Sequence, residues 1–320
     1  MEKIIISGPG NSGSGAIFDF LKDRSDIFLP FNEEFRLVND PDGIQNLEEN
    51  FYNNFSINNS AISFERFEKF CKHLSSFKNS SKELVYPENF EELYKEFISS
   101  LISVSYNGLP RFKRFNLSFK EKLNFYFNKI ILNKKIKDLD LFRMIIPIEK
   151  NLFVQKSTNF INNIISRSSN FQKNKIALID QGINIFRITE NMKYFSNSKN
   201  ILTIRDPRGT YYTTLQLKKK NISFAYQGLE INEFVKWYKF IYDKINKIEN
   251  ENKTLIVQFE KFVLDYKNVS LKILDFLQLE NQKTKFDINK SLKNINDIEN
   301  KIEKNSLNII KSELKDFLLY

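Results

Sequence analysis

The chain has one cysteine, Cys71, and one histidine, His73, in 320 residues. An intrachain disulfide is therefore excluded, and so is a metal centre built from cysteine and histidine. No apolar run approaches the length of a membrane span. The opening run Lys3–Ser7 (KIIIS) is far too short for the apolar region of a signal peptide, so the sequence reads as cytoplasmic, without a transmembrane segment. The net charge is +10, yet no long basic arm and no aromatic RNA-binding signature accompany it, which argues against nucleic acid as a partner. A lysine-rich solvated surface, or a basic cleft for an anionic cofactor, accounts for the same charge. Internal repeats are absent as well. What is present is ordinary for a globular protein, 41% hydrophobic and 28% charged residues. That is enough for one large α/β domain spanning 1–320, with a sizeable insertion.

Glycine and proline are few, nine and seven. Against that scarcity stands Gly8–Gly15 (GPGNSGSG). It follows a β-branched run that fits a buried parallel strand. Beyond it, Ile17, Phe18, Phe20 and Leu21 recur at helical spacing. A glycine-rich loop between a strand and a helix N-terminus is the setting in which backbone N–H groups cradle a phosphate. The spacing nearly matches GxxxxGK[ST], but Ser14 stands in the lysine place and Gly15 in the Ser/Thr place. The parts that grip β- and γ-phosphates and magnesium in nucleoside triphosphatases are thus incomplete.

Further strands are expected at 27–31, 175–180, 201–204 and 254–259, with helices between and after them. This order predicts a parallel sheet flanked by helices. From about Leu47 to Lys173 the pattern is helical with aromatic anchors, and this segment is expected to be a mainly helical insertion that caps the acceptor site. The stripe Phe90, Leu93, Tyr94 and Phe97 reads as core, as does Trp237 on the strongly amphipathic segment Glu233–Glu249. His73 lies mid-helix and reads as structural.

A second anion motif is Arg205-Asp-Pro-Arg-Gly-Thr-Tyr-Tyr-Thr213. An arginine at a strand end offers a bidentate contact to phosphate, and Thr213 follows on the next helix with a hydroxyl. Ligands of parallel α/β sheets bind beyond the strands' C-terminal ends, where both motifs fall.

Taken together, these residues resemble the P-loop-fold sulfotransferases that use 3′-phosphoadenosine 5′-phosphosulfate (PAPS). That family joins a loop [KR]-S-G-[ST]-[ST] to a later R-[DN]-P-x-x-x-x-x-S. Here the two read Asn11-Ser12-Gly13-Ser14-Gly15 and Arg205-Asp206-Pro207…Thr213. The bacterial branch of the family is further resembled by Glu34–Ile44 (EFRLVNDPDGI) and Asp180-Gln181. The resemblance implies a sulfotransferase-like α/β fold and transfer of a sulfuryl group from PAPS to a hydroxyl of a small-molecule or glycan acceptor, such as a carbohydrate or surface-polymer precursor, with no metal. It places Gly10, Asn11, Ser12, Gly13, Ser14 and Gly15 on the 5′-phosphosulfate. Arg205 and Thr213 would meet the 3′-phosphate, with Lys293 in the late loop. Asn11 occupies the family's Lys/Arg position, so either Lys156, Arg143 or Arg208 supplies the missing cation, or the activity is weaker or different. The resemblance also implies an acidic base: Glu34 would take the acceptor proton and Arg36 would position it, with Asp40, Asp42 and Asp180 as secondary candidates. Two alternatives remain open, a P-loop kinase-like phosphotransferase and a non-catalytic nucleotide-binding protein. Acceptor identity and oligomeric state are not encoded in these motifs.

Overall fold

In the computed structural model, residues 1–108, 119–131, 142–220, 230–248, 253–293 and 295–319 are described. Their contacts divide into two units, one formed by 1–35 with 168–320 and the other by 36–167.

The first unit is built on a five-stranded parallel sheet of β1 (Lys3–Ser7), β2 (Ile27–Phe28), β5 (Ile176–Asp180), β6 (Ser198–Ile204) and β7 (Thr254–Gln258), in the order β2-β5-β1-β6-β7. All five residues of β1 are buried. Its apolar run lies between β5, in register Ile4↔Leu178 and Ile6↔Asp180, and β6, in register Ile6↔Ile201 and Ser7↔Leu202. Strand order reverses about β1, so the loop that leaves β1 emerges at the switch point where such sheets bind ligands.

One face of the sheet carries Ile4, Ile6, Leu178, Ile201, Leu255 and Val257. It packs against Ile17, Phe20 and Leu21 of helix Ser14–Lys22 and against Phe262, Ile273, Leu274 and Leu277 of helices Phe259–Leu264 and Tyr266–Leu277. Burying each such side chain contributes about 1.5–3 kcal/mol. This face fixes where the first turn of helix Ser14–Lys22 stands, and hence where the glycine loop ends. Lys3 is buried at the opposite end of β1, its ammonium donating to the carbonyls of Ser196 (2.8 Å) and Met1 (3.2 Å).

The second unit holds helices Ile44–Glu48, Ile57–Ser75, Phe90–Ser100, Phe119–Tyr126 and Lys150–Ser166. Its aromatic anchors are core: Phe90, Leu93, Tyr94 and Phe97 are buried, and Phe97 stacks on Phe160 at 4.3 Å. The segment 47–173 also holds a strand pair. Two strands, β3 (Ile102–Gly108) and β4 (Phe142–Pro147), pair antiparallel. Helical periodicity is a local signal, whereas this pairing joins segments well apart in sequence. His73 sits exposed on helix Ile57–Ser75, while Cys71 is buried.

Candidate functional site

Every strand of the parallel sheet ends on the same side. Four of these ends carry the site: the glycine loop after β1, Asp180-Gln181 closing β5, Arg205-Asp206 after β6 and Phe259-Glu260 after β7.

The loop owes its path to residues in left-handed backbone. Gly13 has φ +85, and a Cβ there would lie 2.4 Å from the Phe259 ring. Glycine is thus required twice, by conformation and by space. Asn11 has φ +63, a region asparagine enters far more readily than lysine or arginine. This gives a physical reason for asparagine at that position. Its amide turns to Thr214, donating to Oγ1 at 3.2 Å, and its carbonyl accepts from Arg205 Nη1 at 3.1 Å. Gly8 leaves room for Ser12, whose Oγ would be 2.2 Å from a Cβ at position 8. The Ser12 hydroxyl is buried without a hydrogen-bond partner among the described residues. Ser14 Oγ accepts from Gln181 Nε2 at 3.1 Å, which ties the loop to β5. Gly15 opens onto empty space: no atom lies within 4 Å of a Cβ placed there.

The second motif converges on the loop. Arg205 Nη1, besides meeting Asn11, donates to Thr213 Oγ1 at 3.0 Å. The guanidinium lies 4.7 Å over the Phe259 ring, and its Nε is 3.8 Å from Glu260. Gly209 admits it, since a Cβ there would sit 2.8 Å from Nε. Asp206 starts the next helix, Pro207–Lys219: its carboxylate accepts from the Arg208 amide at 2.9 Å, and Pro207 occupies the first turn. Arg208 is engaged elsewhere. Its guanidinium meets both oxygens of Asp206 at 2.9 Å and Glu299 at 2.7 Å. As a cation to stand in for the one that Asn11 lacks it is therefore already committed. Lys156 and Arg143 belong to the other unit.

Beside the loop lies a cavity of about 350 Å³, lined in part by Gly13, Gly15, Arg205, Phe259, Lys285 and Lys290. Lys22 and Ser291 also reach it, with the carboxylates of Asp19, Asp23 and Asp287. Lys293 is not among the lining residues. It is exposed at the end of helix Ile288–Leu292, and its carbonyl accepts from Lys301 at 2.7 Å. Lys290, one helical turn earlier, lines the cavity. Sequence reasoning also missed Glu260 and Phe259; a carboxylate directly after a buried strand, as in TLIVQFE, was the available signal.

Acidic groups gather at the β5 end and in the segment that follows β2. Glu34 is exposed, and the next residue, Phe35, is buried, its amide donating to the Asp180 carbonyl at 2.9 Å. Burial pushes the Asp180 carboxyl up to about 7, with the charge of Glu34 adding to the rise. Glu260 is likewise pushed up to about 7 by burial, against the opposing pull of Arg205. Arg36 lies in the second unit, where its Nε donates to Asp40 at 2.7 Å. Among the described residues no group of three or more His, Cys, Asp or Glu side chains is disposed to hold a metal ion.

No protein-family model matches the chain, and no curated protein matches it. Among solved structures it is similar to the sulfotransferase domain of the Synechococcus PCC 7002 olefin synthase (13% identity over 88% of this chain and 74% of that one, TM-score 0.38). It is also similar to the sulfotransferase domain of the curacin biosynthetic pathway (17% identity, 88% and 75%, TM-score 0.37) and to a sulfotransferase from Alicyclobacillus acidocaldarius (9% identity, 97% and 95%, TM-score 0.36).

Proposed function

We propose that the chain transfers a sulfuryl group from PAPS to an acceptor hydroxyl, such as that of a carbohydrate or a surface-polymer precursor. The observation that carries the reading is the meeting of the two anion motifs: Arg205 bonds both the glycine loop at Asn11 and the hydroxyl of Thr213, beside a cavity edged by Lys22, Lys285 and Lys290. One side of that cavity is glycine-loop backbone at a helix N-terminus, which favours an anion through its N–H groups and the helix dipole. The other side carries Arg205, Lys22, Lys285 and Lys290 among the carboxylates of Asp19, Asp23 and Asp287, with Lys22 paired to Asp19 at 2.6 Å. A donor with phosphate at both ends of a nucleoside fits this layout, and the unpartnered Ser12 hydroxyl and the open space at Gly15 suit the approach of an anion to the backbone.

In the reaction the acceptor oxygen attacks sulfur in line. The bond from sulfur to the bridging phosphate oxygen breaks, and adenosine 3′,5′-bisphosphate leaves. The loop amides of residues 13–15 would steady charge on the bridging and sulfuryl oxygens, with the loop held by the Arg205 bond to the Asn11 carbonyl. Glu34 would accept the acceptor's proton, with Asp180 beside it. Arg36 is assigned to orienting the acceptor. No step requires the lysine that Ser14 replaces.

The test is thermal stabilisation by adenosine 3′,5′-bisphosphate set against ATP with magnesium, followed by transfer of labelled sulfate to a panel of hydroxyl acceptors. Stabilisation by the bisphosphate together with transfer is the expected result. Stabilisation by ATP and magnesium alone favours a phosphotransferase, and bisphosphate binding without transfer a non-catalytic protein. Glu34→Gln is expected to cut turnover by at least about a hundredfold, the lower range for loss of a general base; unchanged turnover would reject Glu34 as the base.

A further inference from the structure

We propose that Tyr238 and Tyr242 are positioning residues for Arg205: two stacked, buried phenols whose hydroxyls hold the arginine's backbone and so aim its guanidinium at the anion. The inference rests on the reading of Arg205 as an anion-binding residue.

The two tyrosines lie four positions apart on helix Ile231–Ile245, a spacing that puts them on one face, one above the other. Their rings are 3.9 Å apart and 8° from parallel. Phe317 closes the edge, with centroids at 5.7 and 6.5 Å. Tyr238 is 0% and Tyr242 3% exposed, so neither hydroxyl is there for solubility. Packing alone would be served by phenylalanine, because a buried hydroxyl costs free energy unless it is bonded. Both hydroxyls are bonded, and to the same residue. Tyr238 donates to the Arg205 carbonyl at 2.6 Å, and the Arg205 amide donates to the Tyr242 oxygen at 3.2 Å. The next amide, that of Asp206, donates to both oxygens of Glu260 at 3.2 Å. The chain leaving β6 is thereby fixed on both sides of the Cα that bears the guanidinium.

From that anchored Cα the side chain crosses the Phe259 ring to reach Asn11 and Thr213. A small rotation of the backbone at Arg205 would be magnified at Nη1, the far end of the side chain. Burial raises both phenols, Tyr242 to about 12 and Tyr238 well above its ordinary value. They remain neutral across the working pH range, and Tyr238 keeps its proton to donate.

The experiment compares wild type, Tyr238→Phe, Tyr242→Phe and Arg205→Ala. For each, calorimetry gives the affinity for adenosine 3′,5′-bisphosphate and for adenosine 5′-phosphate, and thermal unfolding confirms the fold. Phenylalanine keeps the ring stack and removes only the hydroxyl. Tyr238→Phe is expected to weaken the bisphosphate about tenfold, the order for one lost hydrogen bond that leaves a buried carbonyl unmet. Its affinity for the 5′-phosphate, which lacks the group Arg205 would hold, is expected to change by less than about twofold. A merely structural role would weaken both nucleotides alike, and that result overturns the proposal, as does unchanged bisphosphate affinity. Should Tyr238→Phe fail to fold, Tyr242→Phe carries the same comparison. If wild type binds the bisphosphate and Arg205→Ala does not, while the phenylalanine variants bind normally, only the positioning role falls. If wild type does not bind it, the functional reading falls as well.

Discussion

The segments after β6 and β2 carry Arg205 and Glu34, the residues to which anion binding and proton transfer are proposed to fall, and they are built differently. Arg205 is 4% exposed and held through its backbone by two tyrosines, with its side chain between Asn11, Thr213, Phe259 and Glu260. Glu34 is exposed, and its turn is fixed through the neighbouring Phe35, which is buried, stacks on Phe31 at 4.8 Å and bonds the Asp180 carbonyl. The contrast follows the chemistry assigned to each. A group that grips an anion gains from a fixed direction and a dry setting, where charge interactions are stronger. A group that takes a proton from an incoming hydroxyl must be reachable.

The contrast can be broken or sharpened by substitution. The largest effect is expected at Arg205→Ala, which removes a charged donor from the cavity: affinity for adenosine 3′,5′-bisphosphate should fall by about a hundredfold, measured by calorimetry. Next come the loop glycines. Gly13→Ala must place a methyl in left-handed backbone and 2.4 Å from Phe259, and is expected to destabilise by about 2–3 kcal/mol in denaturant unfolding. Gly15→Ala meets no atom within 4 Å. Its stability should stay within about 1 kcal/mol of wild type, while its methyl, pointing into the cavity, weakens nucleotide binding. Equal instability of the two variants would contradict the loop geometry described above.

The smallest effect concerns pH. Asp180 and Glu260 have carboxyls raised to about 7 from 3.8 and 4.5. Between those ordinary values and about 7 the folded state binds more protons than the unfolded state, so stability falls as pH rises through this window. Their contribution is fully present at low pH and lost above about 7. Asp180→Asn is expected to flatten part of that fall, read as the pH dependence of the denaturation midpoint from pH 5 to 8. An unchanged slope would mean that Asp180 ionises at its ordinary value.

Much of this arrangement was legible in the sequence because its signals are local. Strand, glycine loop and helix lie within Lys3–Lys22, and Arg205 is only eight positions from Thr213. What holds Arg205 was not legible. Tyr238, Tyr242 and Glu260 lie 33, 37 and 54 positions from the groups they bond, and on the sequence the tyrosines are two more aromatics in an amphipathic helix. The resemblance points to Lys293 through its place in a late loop, while the residue of this segment that lines the cavity is Lys290 on helix Ile288–Leu292, a distinction of helix phase that spacing to a motif does not carry. The β3–β4 pairing escaped for the same reason as the tyrosines, its partners being distant in sequence.

The central claim is that one nucleotide bridges the glycine loop and Arg205. A crystal structure of the protein with adenosine 3′,5′-bisphosphate tests it most directly. The account predicts the 5′-phosphate against the amides of residues 13–15 and the 3′-phosphate within hydrogen-bond reach of the Arg205 guanidinium. A nucleotide bound away from the cavity, or one whose 3′-phosphate leaves Arg205 untouched, would contradict it.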